Sequence, residues 1–152
     1  MDLSRTVQEI QYTLAPAIMI SSSALLLLGL QAKFSNLFNR FRALNQERRI
    51  LDLKTNRSPV EDERLSNLKQ QLHRLMLRIL HTKNAISLNY LAIVCFLATS
   101  IFLFLNIYTP LELSHFTITF FSAGLVLVLI SACFMIAEIG IAFNILKLER
   151  KS

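Results

Sequence analysis

The sequence predicts an all-α membrane protein: three transmembrane helices with a long cytoplasmic antiparallel helical hairpin between the first and second spans. Three observations carry this. The stretches 14–32, 84–111 and 116–137 contain no Asp, Glu, Lys, Arg or His. Each is long enough to cross roughly 30 Å of hydrocarbon at about 1.5 Å per residue. The composition is 53% hydrophobic with only three Gly and three Pro in 152 residues, and the mean hydropathy is +0.48. Finally, segment 33–83 gathers twelve of the sixteen Lys/Arg residues. A helix of a soluble core shows a polar face within two turns, and the three apolar stretches do not.

The length is that of one domain, 1–152. Residues 1–13 form an outer N-terminal segment in which Leu3, Val7 and Ile10 fall at helical spacing, suiting a short interfacial helix. Span one covers 14–32. Its flank, with Asp2, Arg5 and Glu9, is net negative where a secretory signal needs a basic start, and no small-residue cleavage pattern precedes Ala32. It is therefore expected to be retained. Pro16 is expected at the first turn of the span or at a kink, because it has no amide donor.

Segment 33–83 reads as two helical arms. Phe34, Leu37, Phe38, Phe41, Leu44 and Leu51 make a stripe on the first, and Leu65, Leu68, Leu72, Leu75 and Ile79 step by 3, 4, 3 and 4 on the second, a coiled-coil seam. The turn falls at 55–59. Ser58 is a suitable N-cap, Pro59 suits the first helical position, and Glu61 completes an S-x-x-E capping box. Nothing except the lone Gly29 interrupts the passage from span one into the first arm, or from the second arm into span two at 84–105. Two long continuous helices are expected. An outer loop at 106–115, span three at 116–140 and a tail at 141–152 complete the chain. The basic segment 33–83 and the tail with Lys147, Arg150 and Lys151 lie on the same side of three spans. Cytoplasmic flanks hold the excess of Lys and Arg, so the N-terminus is placed outside and the C-terminus inside.

The basic excess has four readings. It is a topology signal on solvated helix faces, a surface for anionic lipid headgroups, a surface for an acidic protein partner, or a nucleic-acid site. Lys33, Arg40, Arg42 and Lys83, nearest the spans, are the candidate lipid or partner contacts. Nucleic acid is excluded as the leading reading, since no recognition module accompanies the pI of about 9.8. Glu138, with apolar residues on both sides, is the candidate intramembrane ion pair or relay. It falls about 33 Å along span three if that span starts at Phe116, at the cytoplasmic boundary. There Lys33, Lys83 and His81 are its expected partners. His73 and His81 lie amid cations, which favours solvated or interfacial imidazoles over metal ligands.

Within spans two and three the polar groups singled out are Thr99, Ser100, Ser122 and Ser131, with Cys95 and Cys133 as small packing residues. Small residues at 21–24, 122–124, 131–132, 137 and 140 favour close helix approach and self-association. No metal, catalytic or cofactor fingerprint is present, so no enzyme, catalytic residue or cofactor is expected.

The run "TLAPAIMISSSALLLLGLQAKF", continuing into "LFNRFRALNQERR" and followed by "LHRLMLRILHTKNAI", resembles the DUF2721 family of uncharacterised bacterial integral membrane proteins. The resemblance spans roughly residues 10–145. It implies a bacterial inner-membrane protein of about three spans, with Arg40 and Arg42 matching an R-x-R-x-L motif, and it implies no activity. The leading expectation is a structural or interaction protein that self-associates or joins a membrane complex. The alternative is a small oligomeric channel or transporter component with Glu138 near its cytoplasmic mouth.

Overall fold

In a computed structural model, which describes the backbone of residues 3–54, 58–108 and 113–149 and the side chains of 14–54, 58–106 and 113–140, the chain is three helices. They are α1 (Leu3–Asp52), α2 (Pro59–Tyr108) and α3 (Ser114–Glu149). All three contain a stretch long and apolar enough to cross a membrane. As expected from the absence of breakers, α1 and α2 run without interruption for 50 residues each.

In α1 the N-terminal helix and the apolar stretch are continuous, and Pro16 lies inside the helix, which leaves the kink of its two expected placements. Helix begins at Leu3, so residues 3–13 are not a separate element. Pro16 is fully buried. Its missing amide removes one rung of the ladder, and burial of the ring offsets part of that cost.

By contact the chain divides into two compact units, one of residues 1–29 and 85–133, the other of 30–84 and 134–152. The first unit is held by polar bonds as well as by packing. Asn89 of α2 is fully buried, and its Nδ2 donates to the Ser23 carbonyl of α1 at 2.8 Å. Ser131 of α3, also fully buried, donates from Oγ to the Ala85 carbonyl of α2 at 2.9 Å. In hydrocarbon such groups have no water to turn to, so interhelical bonds fix where the helices cross. Other hydroxyls return to their own helix: Thr99 and Ser100 donate to the carbonyls of Cys95 and Phe96, four residues back.

The apolar contacts of this unit centre on Phe96, which is fully buried and lies 5.8 Å, ring to ring, from Phe121. Phe102 lies 5.3 Å from Phe120 and 6.1 Å from Phe116. Gly124 is what lets α3 come this close to α2. A Cβ there would stand 2.6 Å from Phe96 Cε1, and a fully buried ring has little room to yield. Gly124→Val is therefore expected to cost about 1–3 kcal/mol through overpacking, read as a lower unfolding midpoint in detergent. Gly29→Val is its control, because nothing lies within 4 Å of a Cβ at that position.

In the second unit the arms of α1 and α2 contact each other along their stripes. Leu37, Leu75 and Ile79 form a buried cluster, with Phe34, Phe41 and Leu44 packed against it. All five residues of the 3-4-3-4 series on α2 are buried, Leu68 completely. Nearer the turn, Glu47 pairs with Arg64 at 3.0 Å and Lys54 with Glu61 at 2.6 Å. The start of α2 is capped as read: Glu61 N donates to Ser58 Oγ at 3.4 Å, and Ser58 N donates to Glu61 Oε2 at 3.1 Å. Residues 55–57 of the turn and 109–112 of the loop lie outside the described residues.

Phe38 departs from the expected stripe. It sits one residue, hence 100°, round the helix from Leu37, and it is exposed. It stacks on Phe34 at 6.1 Å, and the Arg42 guanidinium rests 4.5 Å above its ring.

Candidate functional site: a buried ion cluster around Glu138

An unpaired carboxylate in an apolar helix is costly, so the chain has either to neutralise it or to bring cations to it. The sequence places Glu138 between Ala137 and Ile139 on α3, and the fold brings two cations to it. Glu138 is completely buried, and each carboxylate oxygen has its own donor. Lys33 Nζ of α1 donates to Oε2. Arg78 Nε of α2 donates to Oε1 at 2.7 Å. The cations are mostly covered too, with side-chain exposures of 29% for Lys33 and 19% for Arg78. One acid thus joins all three helices within the second unit.

Both continuous helices are needed for this geometry. Lys33 is the first charge after the apolar stretch of α1, on the same helix as Leu30 and Leu37, which are buried. Arg78 directly precedes the buried Ile79 on α2. The positions flanking Glu138, Ala137 and Ile139, are exposed, so only the carboxylate side of α3 turns inward here.

Of the three partners expected for Glu138, the structure supplies Lys33. Lys83 is exposed, and His81 is turned elsewhere: its ring lies 5.9 Å from Phe134 at a tilt of 38°. His81 is half-buried rather than solvated, and its Nδ1 is buried without a hydrogen-bond partner. His73, eight residues earlier, is exposed. Arg40 and Arg42 are exposed as well, the latter over Phe38. Among the described residues, no three His, Cys, Asp or Glu side chains come together to hold a metal ion. Cys95 and Cys133 are free thiols, the first half-buried and the second exposed.

Two residues that hold the structure went unread in the sequence. Arg78 lies six residues before Asn84, where the apolar stretch starts, about 9 Å along the helix. Its long side chain spans that distance, as basic side chains commonly do near membrane boundaries. The signal was there, a cation directly before a stripe position on the same arm. Asn89 adds to the polar groups of span two, and its signal was an amide inside "SLNYLAIV". Its Oδ1 is buried without a partner.

Chemically the cluster is closed. Each carboxylate oxygen carries one donor from a cation, the group is completely buried, and its charge is overbalanced by one. The arrangement joins residues of all three helices. A family model described as a protein of unknown function, DUF2721, matches residues 13–148. No curated protein and no solved structure matches the chain.

Proposed function

We propose, for a chain that belongs to the DUF2721 family of proteins of unknown function, a structural or interaction role in a membrane. Three spans hold an antiparallel helical hairpin on the cytoplasmic side of a bacterial inner membrane, with the N-terminus outside and the C-terminus inside. The chain associates with copies of itself or joins a membrane complex. The single observation that carries this is the state of Glu138, a buried acid with one oxygen bonded to Lys33 and the other to Arg78. The buried acid of α3 is used to tie helices together. Thr99 and Ser100 are likewise bonded to their own backbone. The rival reading, an oligomeric channel component with Glu138 at its inner mouth, has less support, because a mouth requires that carboxylate to face a path.

Surfaces for association are present in each unit. On α3, Ser122, Ala123 and Cys133 are exposed, and Ser122 and Cys133 lie three helical turns apart on one face. Val126 and Leu129 lie between them on the same face and are exposed too, so a continuous apolar strip is open to a second helix. On the arms, Ile50, Leu53 and Val60 are exposed on either side of the turn, Leu53 at 83%.

Cross-linking tests the self-association directly. In membranes holding the full chain with Cys95→Ala, a short bis-maleimide is expected to join Cys133 to Cys133 and give a dimer that persists on dilution with lipid. Cys133→Ala is expected to abolish it. A monomeric mass in mild detergent, no cross-link and no co-purifying chain would together overturn the interaction reading.

A further inference from the structure

Charge on the two arms is sorted along their length. In residues 45–71 six cations stand against five acids, and ion pairs form: Arg64 with Glu47, Lys54 with Glu61, and Arg48 with Asp52 at 3.8 Å. The other half, residues 33–44 and 72–83 with 134–140 of α3, carries Lys33, Arg40, Arg42, Arg74, Arg78 and Lys83 against Glu138 alone. That acid is already bonded to Lys33 and Arg78. Arg40, Arg42, Arg74 and Lys83 have no acidic partner among the described residues. The unpaired half is the one adjoining the apolar stretches.

A solvated helix surface does not require this arrangement, since the mixed half keeps its cations and acids nearly equal. Orientation during insertion requires only the charges, not their placement on a folded surface. The structure adds placement. Arg42 is seated on the ring of Phe38, which is itself stacked on Phe34. Stacking fixes the guanidinium plane and leaves its N–H edges free, which suits two-pronged bonds to phosphate oxygens. Four of the six cations are arginines, the side chain matched to that geometry. Their axial spread also fits. Lys33 to Arg42 and Arg74 to Lys83 each rise about 14 Å, and the headgroup layer of one leaflet occupies roughly 5–8 Å beyond the hydrocarbon. Flexible side chains cover the difference.

We propose that this half of the arms is a binding collar for the phosphodiester headgroups of anionic glycerophospholipids, with Arg40, Arg42, Arg74 and Lys83 as the phosphate donors. Lys33 and Arg78 add the net positive charge that their shared acid leaves over. The inference rests on the reading of the chain as membrane-spanning and goes beyond it, because a spanning protein need not select its lipids.

The test uses the full chain in a neutral maltoside detergent and follows its unfolding midpoint against added dioleoyl-phosphatidylglycerol, dioleoyl-phosphatidylcholine or inorganic phosphate. Phosphatidylglycerol is expected to raise the midpoint at an about tenfold lower concentration than phosphatidylcholine. Inorganic phosphate is expected to leave it unmoved. The variant Arg40→Gln/Arg42→Gln/Lys83→Gln changes only exposed side chains away from Glu138, so it is expected to keep the lipid-free midpoint and lose the preference. Equal response to the two lipids, or a preference retained by the variant, overturns the proposal. A shift with inorganic phosphate converts it to a free-anion site, and displacement of phosphatidylglycerol by a single-stranded oligonucleotide converts it to a nucleic-acid surface; either result refutes the lipid collar. Carbonate extraction of membranes separates this from failure of the spanning reading: a chain that stays in the pellet but shows no lipid preference sinks only the collar.

Discussion

Glu138→Ala is expected to be among the most damaging single substitutions in this chain, removing about 3–5 kcal/mol, the usual effect of deleting one partner from a buried ion cluster. The side chain is completely buried and balances Lys33 and Arg78, both largely covered. Alanine leaves two cations facing each other with no anion between them. Glu138→Gln keeps the shape and one acceptor oxygen but not the charge; it is expected to insert normally and to fall between wild type and alanine. The informative control replaces all three ions. Lys33→Met/Arg78→Met/Glu138→Met removes the charges together with their desolvation cost and is expected to recover most or all of the lost stability. Unfolding midpoints in detergent measure each variant. If Glu138→Ala melts with the wild type, or if the triple variant melts below Glu138→Ala, the cluster is not the tie described above.

The second large effect concerns the contact between the arms. Leu68 is completely buried, with Leu72 and Leu75 nearly so. Leu68→Ala alone is expected to cost about 2–5 kcal/mol from lost burial and the cavity left behind. Replacing Leu68, Leu72 and Leu75 together with Asp places three charges on the buried seam and is expected to separate the arms altogether. Trypsin reports this well, because Lys and Arg recur throughout 33–83. In the folded chain, cleavage is expected to start near the turn and to spare the arms. In the triple Asp variant it is expected at sites from Arg40 to Arg78, and an unchanged digestion pattern would rule out burial of the seam as what holds the arms.

How much of this could be read from the residues follows from the range of each interaction. The apolar stretches, the 3-4-3-4 series and the Ser58–Glu61 capping box are local patterns within a few turns, and they stand in the fold as read. Glu138 was recognised as needing a cation because its own neighbours could not supply one. Which cation arrived depended on side-chain length as much as on position along the chain, so Arg78 was passed over for Lys83 and His81. Phe38 fits the stripe by spacing, four residues after Phe34 and three before Phe41, yet it lies at the stripe's edge and is exposed. Asn89 illustrates a different limit. A single amide in an apolar run has no periodicity, and its partner is a backbone carbonyl 66 positions away that no side-chain pattern announces.

That last feature determines which positions of the chain are free to drift. In the two interhelical bonds described above for the first unit, the donor is a side chain, Asn89 or Ser131, and the acceptor is a main-chain carbonyl, that of Ser23 or Ala85. Every amino acid brings the same carbonyl, so the acceptor sites constrain only bulk, and any small residue serves there. The donor sites constrain chemistry, because few side chains are compact enough to fit and still carry an N–H or O–H. The crossing of these helices is thus recorded at one end of each bond only, and pairwise covariation among relatives will not reveal it.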